Sequence, residues 1–368
     1  MTRAERAVGV SLVGLLVVGG LTTTMRSTPV VSLAPAARTQ APSVTPRSKA
    51  PAVNPPARRV PTPSRQLATG PIGVAPPVTG CPPPPLPPNG HGPTPLGKPA
   101  VAEAALPKAV AVHGKARDLN PVRGKGLWVT PWASTKVDAS ALVARARRTG
   151  VQSLWIRTGG SRQGYYGDQF LGQLVPAAHT AGVAVIAWDF PAMSDPMSDA
   201  RRAQRALQAG VDAFSPDVET AAEGTFVTSR RLALYLSLVR RYAGSRPVIA
   251  TVPRPSSQRS TFPYQAFVPY ADVFAPMVYW SCREPGALVQ QSLARLGTML
   301  PVAPIGQAYD MGPEGGRLGT PSRLETLRFL DSARRAGCLG ASLWTVETAG
   351  RAQLQALADY VWPLHHSS

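Results

Sequence analysis

One strand–helix–strand unit is contained in residues 183–219, "VAVIAWDFPAMSDPMSDARRAQRALQAGVDAFSPDVE". Residues 183–190 and 211–219 are β-rich runs, and the stretch between them carries apolar residues at helical spacing. Ser198 or Asp199 can cap the helix, and Gly210 can end it just before the second run. Because the two runs are joined by a helix, we expect them to lie parallel in one sheet.

The same unit recurs along the C-terminal part of the chain. Further β-rich runs occupy 126–132, 151–158, 247–253, 272–280, 301–310 and 338–347, with helix-like stretches between successive runs. Gly150, Gly182, Gly244 and Gly337 stand where helices should end. Eight such units predict an α/β fold, a (β/α)8 TIM barrel over residues 125–364. A doubly wound sheet is the alternative, but no Gly-rich phosphate loop follows the first run.

Functional side chains of this fold lie at the C-terminal ends of the strands. The predicted ends supply five acids together with aromatic and basic side chains: Arg157, Asp189, Asp217, Glu219, Tyr279, Trp280, Tyr309, Asp310, Trp344 and Glu347. Aromatic rings stack on sugar faces, and paired carboxylates cleave glycosidic bonds. We therefore expect a polysaccharide site. No His or Cys cluster is found at these ends, where Cys282 is a lone cysteine, which indicates acid–base chemistry carried out by carboxylates.

Asp217 and Glu219 are the leading catalytic candidates. Strand side chains alternate, so both should project from one face, about 6–7 Å apart. Mutual repulsion and partial burial raise the pKa of such carboxyls, which favours a protonated Glu219 as general acid. The structural alternative is that they cap the following helix or pair with Arg157 or Arg254.

Three stretches resemble glycoside hydrolase family 18, the chitinase-like barrels. "DAFSPDVE" (212–219) is similar to that family's Asp-Gly-x-Asp-x-Asp-x-Glu, with Ala213 for Gly and Ser215 for the middle Asp. "MVYW" (277–280) resembles Met-x-Tyr-Asp, and "GASLWTVE" (340–347) resembles Gly-x-x-x-Trp-x-x-Asp. A weaker likeness links "DVE" to family 25 muramidases, whose first-strand Asp is missing from "GLWVTPW" (126–132).

The family 18 resemblance implies a role for each matching residue. Glu219 would protonate the departing glycosidic oxygen, and Asp217 would stabilise the substrate's N-acetyl group, which acts as the nucleophile. Tyr279 would hydrogen-bond the acetamide oxygen, and Trp344 would form the floor of the sugar subsite. The remaining candidates at the strand ends are assigned to substrate binding. The resemblance also implies a substrate-assisted mechanism that needs neither a metal nor a cofactor.

Ser215 departs from the family pattern, because a serine cannot share a proton with Asp217 as a second aspartate would. Three functions therefore stay open. The first is a hydrolase of an N-acetylated β-glycan, peptidoglycan or chitin-type. The second is a non-catalytic glycan-binding barrel. The third is a muramidase-like hydrolase using Asp217 and Glu219 with Asp189 or Asp310 as a further acid.

Two segments precede the predicted barrel. Residues 1–26 carry Arg3 and Arg6 before an apolar run, which predicts an export signal or an N-terminal membrane anchor. Residues 27–124 are rich in Pro, Ala and basic residues, which predicts a disordered, extended linker. The protein is thus expected in the cell envelope or outside the cell.

Charge and cysteine content bear on partners. The formal net charge is +19, and the basic linker favours contact with anionic wall polymers or a membrane surface. No nucleic-acid-binding motif accompanies the charge, so we expect no nucleic-acid partner. Cys282 and Cys338 should lie at opposite ends of the barrel and be poor partners for each other. We expect Trp128 to fill the barrel interior and His179 to be structural.

Overall fold

The protein is described from a computed structural model, for residues 97–112, 114, 116, 118–130, 138–256, 261–314 and 316–363. The predicted signal or anchor (1–26), most of the predicted linker and the end of the first predicted strand lie outside these residues. Among the described helices, none has the length and apolar character needed to cross a membrane.

Strands and helices alternate along the described chain. The strands are β1 (Gly124–Val129), β2 (Ser153–Gly160), β3 (Gly164–Tyr165), β4 (Ala184–Phe190), β5 (Ala213–Pro216), β6 (Ile249–Pro253), β7 (Val273–Val278), β8 (Ile305–Gln307) and β9 (Gly340–Trp344). The helices are α1 (Ala139–Thr149), α2 (Asp168–Thr180), α3 (Pro196–Gln208), α4 (Ser229–Ala243), α5 (Pro285–Leu296), α6 (Arg323–Arg335) and α7 (Arg351–Asp359).

All of these strands except β3 pair in parallel, in the order β5-β4-β2-β1-β9-β8-β7-β6. The ends of this path meet through parallel bridges from Phe214 to Val248 and from Asp217 to Thr251. Short β3 pairs antiparallel with the end of β2. The predicted (β/α)8 barrel is therefore confirmed.

One predicted helix is replaced by a shorter element. Between β6 and β7 the described residues contain a single 3-10 turn, Tyr264–Phe267. This connection includes Pro255, Pro263 and Pro269, and proline inside a helix removes a hydrogen bond and clashes with the preceding turn. Prolines also shorten β8, because Pro301 and Pro304 cannot donate to the sheet.

The barrel interior is filled unevenly. Trp128, Trp155, Trp188 and Trp344, from β1, β2, β4 and β9, pack together with ring centroids 4.6–5.4 Å apart. The inward residues of β5 to β8 are smaller, for example Ala213, Ser215, Thr251 and Ala275. Bulky indoles thus close one half of the barrel, and the other half keeps room for a cleft. Trp128 is buried in the interior as predicted.

Residues 97–112, named here the strap, lie against the outside of the barrel. Leu106 is buried, and Glu103 forms an ion pair of 2.9 Å with Arg231 of α4. The sequence placed these residues in the linker because they are rich in Pro, Ala and Val. The structure differs there, because this part of the chain has a buried apolar residue and a charged partner on the barrel surface.

Candidate active site

A cleft of about 550 Å³ opens at the C-terminal ends of the strands. Its lining residues come from β5 to β9 and the loops that follow them: Asp217, Glu219, Glu223, Thr251, Pro253, Arg254, Ser256, Met277, Tyr279, Ile305, Tyr309, Met311, Glu314 and Trp344. The cleft therefore lies over the half of the barrel whose interior side chains are small.

Asp217 and Glu219 both line this cleft, directly after β5. Val218 between them is fully buried in the core between strands and helices. The backbone holds this register, because the Asp217 amide donates to the Asp189 carbonyl at 2.9 Å and the Val218 amide donates to the Thr251 carbonyl at 3.0 Å. Alternation thus turns both carboxyl groups toward the cleft.

Asp217 is held in an unusual electrostatic state. The residue is 6% exposed, and its Oδ1 atom has no hydrogen-bond partner among the residues that the structure describes. Burial raises the pKa of Asp217 to about 7, with Arg157 opposing the rise and Asp189 and Glu223 adding to it. The group therefore changes protonation state near neutral pH, where a carboxyl can serve as acid, base or counter-charge.

Ser215 lies below Asp217 and does not bond to it. Its hydroxyl bonds the Ile249 carbonyl at 2.8 Å and the Thr251 hydroxyl at 2.7 Å, both on β6. This serine therefore helps to close the barrel between β5 and β6. It leaves Asp217 without the proton-sharing neighbour that the family pattern places at this position.

Aromatic side chains form the other walls of the cleft. Tyr279 and Tyr309 pack edge to face, 5.4 Å apart, and the Tyr309 hydroxyl donates to Glu314 at 2.9 Å. Burial raises the pKa of the Tyr279 phenol well above its usual value. Tyr279 therefore stays a hydrogen-bond donor over the physiological range. Trp344 presents its indole to the cleft and packs on Trp188 at 5.2 Å.

Two predicted binding residues point to the opposite side of their strands. Asp189 is fully buried and makes a bidentate ion pair with Arg202 of α3, at 2.7 and 3.0 Å. Burial raises the pKa of Asp189 and the guanidinium opposes this; the bidentate geometry favours the ionised pair. Trp280 is fully buried against Phe329 of α6, at 5.4 Å. Neither side chain lines the cleft, so their predicted role in binding is corrected.

Three further candidates lie near the cleft without lining it. Glu347 accepts from the Thr130 amide at 2.8 Å, and exposed Asp310 accepts from the Gly312 amide at 2.7 Å. Arg157 projects toward the interior, with its guanidinium carbon 5.1 Å from the Trp188 ring centroid. Glu347 and Asp310 hold loops at the rim, whereas Arg157 acts on Asp217 through its charge.

Sequence reasoning did not assign Glu223 and Glu314 to the site. Both lie in loops after strands, Glu223 in a one-turn 3-10 helix capped by Thr220 and Glu314 in another 3-10 turn after β8. Thr220-x-x-Glu223 is a capping-box pattern, which signals a local turn and gives no sign of a cleft. Arg254, which the sequence suggested as a possible charge partner of Asp217 and Glu219, lines the cleft and donates to Gln291 at 2.7 Å.

The sequence matches no protein-family model and no curated protein. Among solved structures, the chain is similar to a chitinase from Chromobacterium violaceum ATCC 12472, with 11% identity, a TM-score of 0.49, and coverage of 64% of this chain and 98% of that one.

It is also similar to the spore cortex-lytic enzyme SleL of Bacillus cereus, with 11% identity, a TM-score of 0.49, and coverage of 64% of this chain and 73% of that one. A chitinase-like agglutinin from Robinia pseudoacacia has 10% identity, a TM-score of 0.47, and coverage of 63% and 98%. The barrel assignment rests on the strand order and register described above.

Proposed function

We propose that this protein is a glycoside hydrolase that cleaves an N-acetylated β-glycan. The observation that carries the proposal is the joint placement of Asp217 and Glu219 in one cleft, with Trp344 as an aromatic floor and Tyr279 on the wall. A sugar ring can stack on the indole while the two carboxyl groups reach its glycosidic bond.

In this mechanism the substrate supplies the nucleophile. The carbonyl oxygen of its N-acetyl group attacks the anomeric carbon, the glycosidic bond breaks, and Glu219 gives its proton to the departing oxygen. Ionised Asp217 stabilises the positive charge that develops on the acetamide nitrogen, and the Tyr279 hydroxyl donates to the acetamide oxygen. Water then attacks the anomeric carbon, the bond from this carbon to the acetamide oxygen breaks and restores the N-acetyl group, and a proton from the water returns to Glu219. This is the substrate-assisted variant of glycoside hydrolysis.

Peptidoglycan is our preferred substrate, because the basic N-terminal segment suits a wall with anionic polymers. This choice depends on export, which the apolar run in residues 1–26 favours. The same segment would place the barrel in the cell envelope, either secreted or anchored.

A glycan-binding barrel without activity is the second candidate. Two observations favour it: Ser215 is committed to Thr251, so Asp217 has no proton-sharing neighbour, and Trp280 is turned away from the cleft. A muramidase-like mechanism has less support, because Asp189 is paired with Arg202 and Asp310 lies outside the cleft.

The test compares the full chain with its Glu219→Gln variant. Reducing ends and turbidity loss are followed on peptidoglycan and chitin, and pelleting with the polymer measures binding. Hydrolysis by wild type that falls at least 100-fold in Glu219→Gln supports the enzyme. Glu347→Gln is the matched control, since Glu347 does not line the cleft.

The other outcomes separate the alternatives. Pelleting without hydrolysis by the wild type would establish the binding barrel and end the enzyme proposal. Turnover of a fully de-N-acetylated glycan would exclude substrate assistance, because no internal nucleophile remains, and would favour the muramidase-like scheme.

A further inference from the structure

The strap runs from the cleft face of the barrel toward its opposite end. At its start, the amides of Ala100 and Val101 donate to the side chain and carbonyl of Ser194, at 2.7 and 3.1 Å. Ser194 lies in the loop between β4 and α3, which is at the C-terminal ends of the strands. Further along, the Val110 amide donates to Ser237 on α4, at 3.1 Å. The strap therefore begins at the same face of the barrel as the cleft.

Arg231 fixes this start of the strap. Its side chain is 2% exposed and is surrounded by groups from the strap and the β4–α3 loop. Its Nε atom pairs with Glu103 at 2.9 Å, and its terminal nitrogens donate to the carbonyls of Met193, Ser194 and Val101. A guanidinium buried with this many acceptors holds the strap in one position.

Cys282 lies at the same face, in the loop after β7. It is disulfide-bonded, and it follows Tyr279 of the cleft wall by three residues. Gln307 of β8 fixes the loop just before the cysteine, because its Oε1 accepts from the amides of Trp280 and Ser281, at 3.1 and 2.8 Å.

Cys338 is not the partner of Cys282. It is a buried free thiol directly before β9, at the opposite end of the barrel. Since the chain has three cysteines, we propose that Cys282 is joined to Cys81, so that the proline-rich segment is covalently fastened to the cleft face of the barrel.

The chain between Cys81 and the strap is long enough for this bond. Sixteen residue steps separate Cys81 from Gly97, which span up to ~50 Å at about 3.1 Å per residue. A compact domain of this size has a radius of gyration of about 18 Å, so two points on one face lie within roughly 45 Å. An intrachain bond therefore needs no displacement of the strap.

Forming the bond is a two-electron oxidation. The two cysteine thiols lose two protons and two electrons and form one S–S bond. A disulfide-containing oxidant accepts these protons and electrons, and its own S–S bond breaks to give two thiols. This requires an oxidising compartment, and the proposal is independent of whether the cleft cleaves or only binds a glycan.

Peptide mapping of the oxidised full chain tests the bond. The protein is oxidised with glutathione disulfide, alkylated and digested with trypsin without reductant. We expect residues 66–108 and 260–283 to be recovered as one linked species that separates on reduction. Recovery of alkylated Cys81, or a link between Cys282 residues of two copies, would overturn the proposal.

Thermal unfolding gives a second measurement. Cys81→Ser and Cys282→Ser should each lower the Tm by about 5–10 °C, because the bond closes a long loop in the unfolded chain. The double variant should show no further loss, and reductant should lower only the Tm of wild type and of the Cys338→Ser control. If the single variants do not fold, the peptide map of the wild-type protein still shows whether Cys81 and Cys282 are joined.

Discussion

Asp217→Asn should make the protein more stable at neutral and alkaline pH. Asp217 is only 6% exposed, and this burial raises the pKa of its carboxyl group from 3.8 to about 7. The folded state therefore binds more protons than the unfolded state between these two values. For an acid with a raised pKa, stability is highest at low pH and falls as the pH rises toward the folded-state value.

The magnitude follows from the size of the shift. About three pKa units at 1.36 kcal/mol each give a penalty of about 4 kcal/mol above pH 7. At pH 5 the penalty is about 1.5 kcal/mol, since only the unfolded state is largely ionised there. The stability gained by Asp217→Asn should thus grow by about 2.5 kcal/mol from pH 5 to pH 8.

Guanidinium unfolding of both proteins at pH 5, 6, 7 and 8 measures this difference. Asp310→Asn is the matched control, because it removes an exposed carboxylate of the same cleft face. A stability difference between wild type and Asp217→Asn that stays constant within about 0.5 kcal/mol over this range would refute the assignment of a buried, titrating carboxyl.

Three further predictions concern individual side chains of the structure. Tyr279→Phe should lower kcat on an N-acetylated glycan by about 10–100-fold with little change in stability, because one donor to the acetamide is lost; an unchanged kcat would contradict its role. Asp272→Asn should destabilise the fold by about 3–5 kcal/mol in urea unfolding, because it leaves Arg240 buried without the carboxylate now 2.5 Å away; a loss below 1 kcal/mol would contradict this. Trp280→Phe should cost about 1–3 kcal/mol of stability and leave the KM of the glycan unchanged, and a raised KM would return Trp280 to the binding site.

Much of the architecture could be read from local patterns. Apolar periodicity and helix-ending glycines such as Gly150 and Gly210 depend on neighbouring residues only, and they predicted the barrel. The connection from 254 to 272 was mispredicted because its prolines were given too little weight. Side-chain alternation along residues 211–219, the predicted strand that contains β5, likewise predicted that Asp217 and Glu219 share one face.

The same alternation explains two errors. Trp188 and Tyr279 face the interior or the cleft, so their neighbours Asp189 and Trp280 must face the helices. Both were assigned to binding from their position at strand ends, without applying the alternation used for β5. Glu223 and Glu314 were missed for another reason, since their loops fold over the cleft in a way that no short sequence pattern records.

The sequence by itself determined the eightfold repeat and the face of β5, because both follow from side-chain spacing along one segment. Only the tertiary structure decided that Ser215 bonds Thr251, that Arg202 neutralises Asp189, and that burial brings Asp217 near neutral pKa. Each of these depends on which groups meet across different strands and helices and on how much water the packing excludes. The spacing of residues along the chain specifies neither these contacts nor the degree of burial.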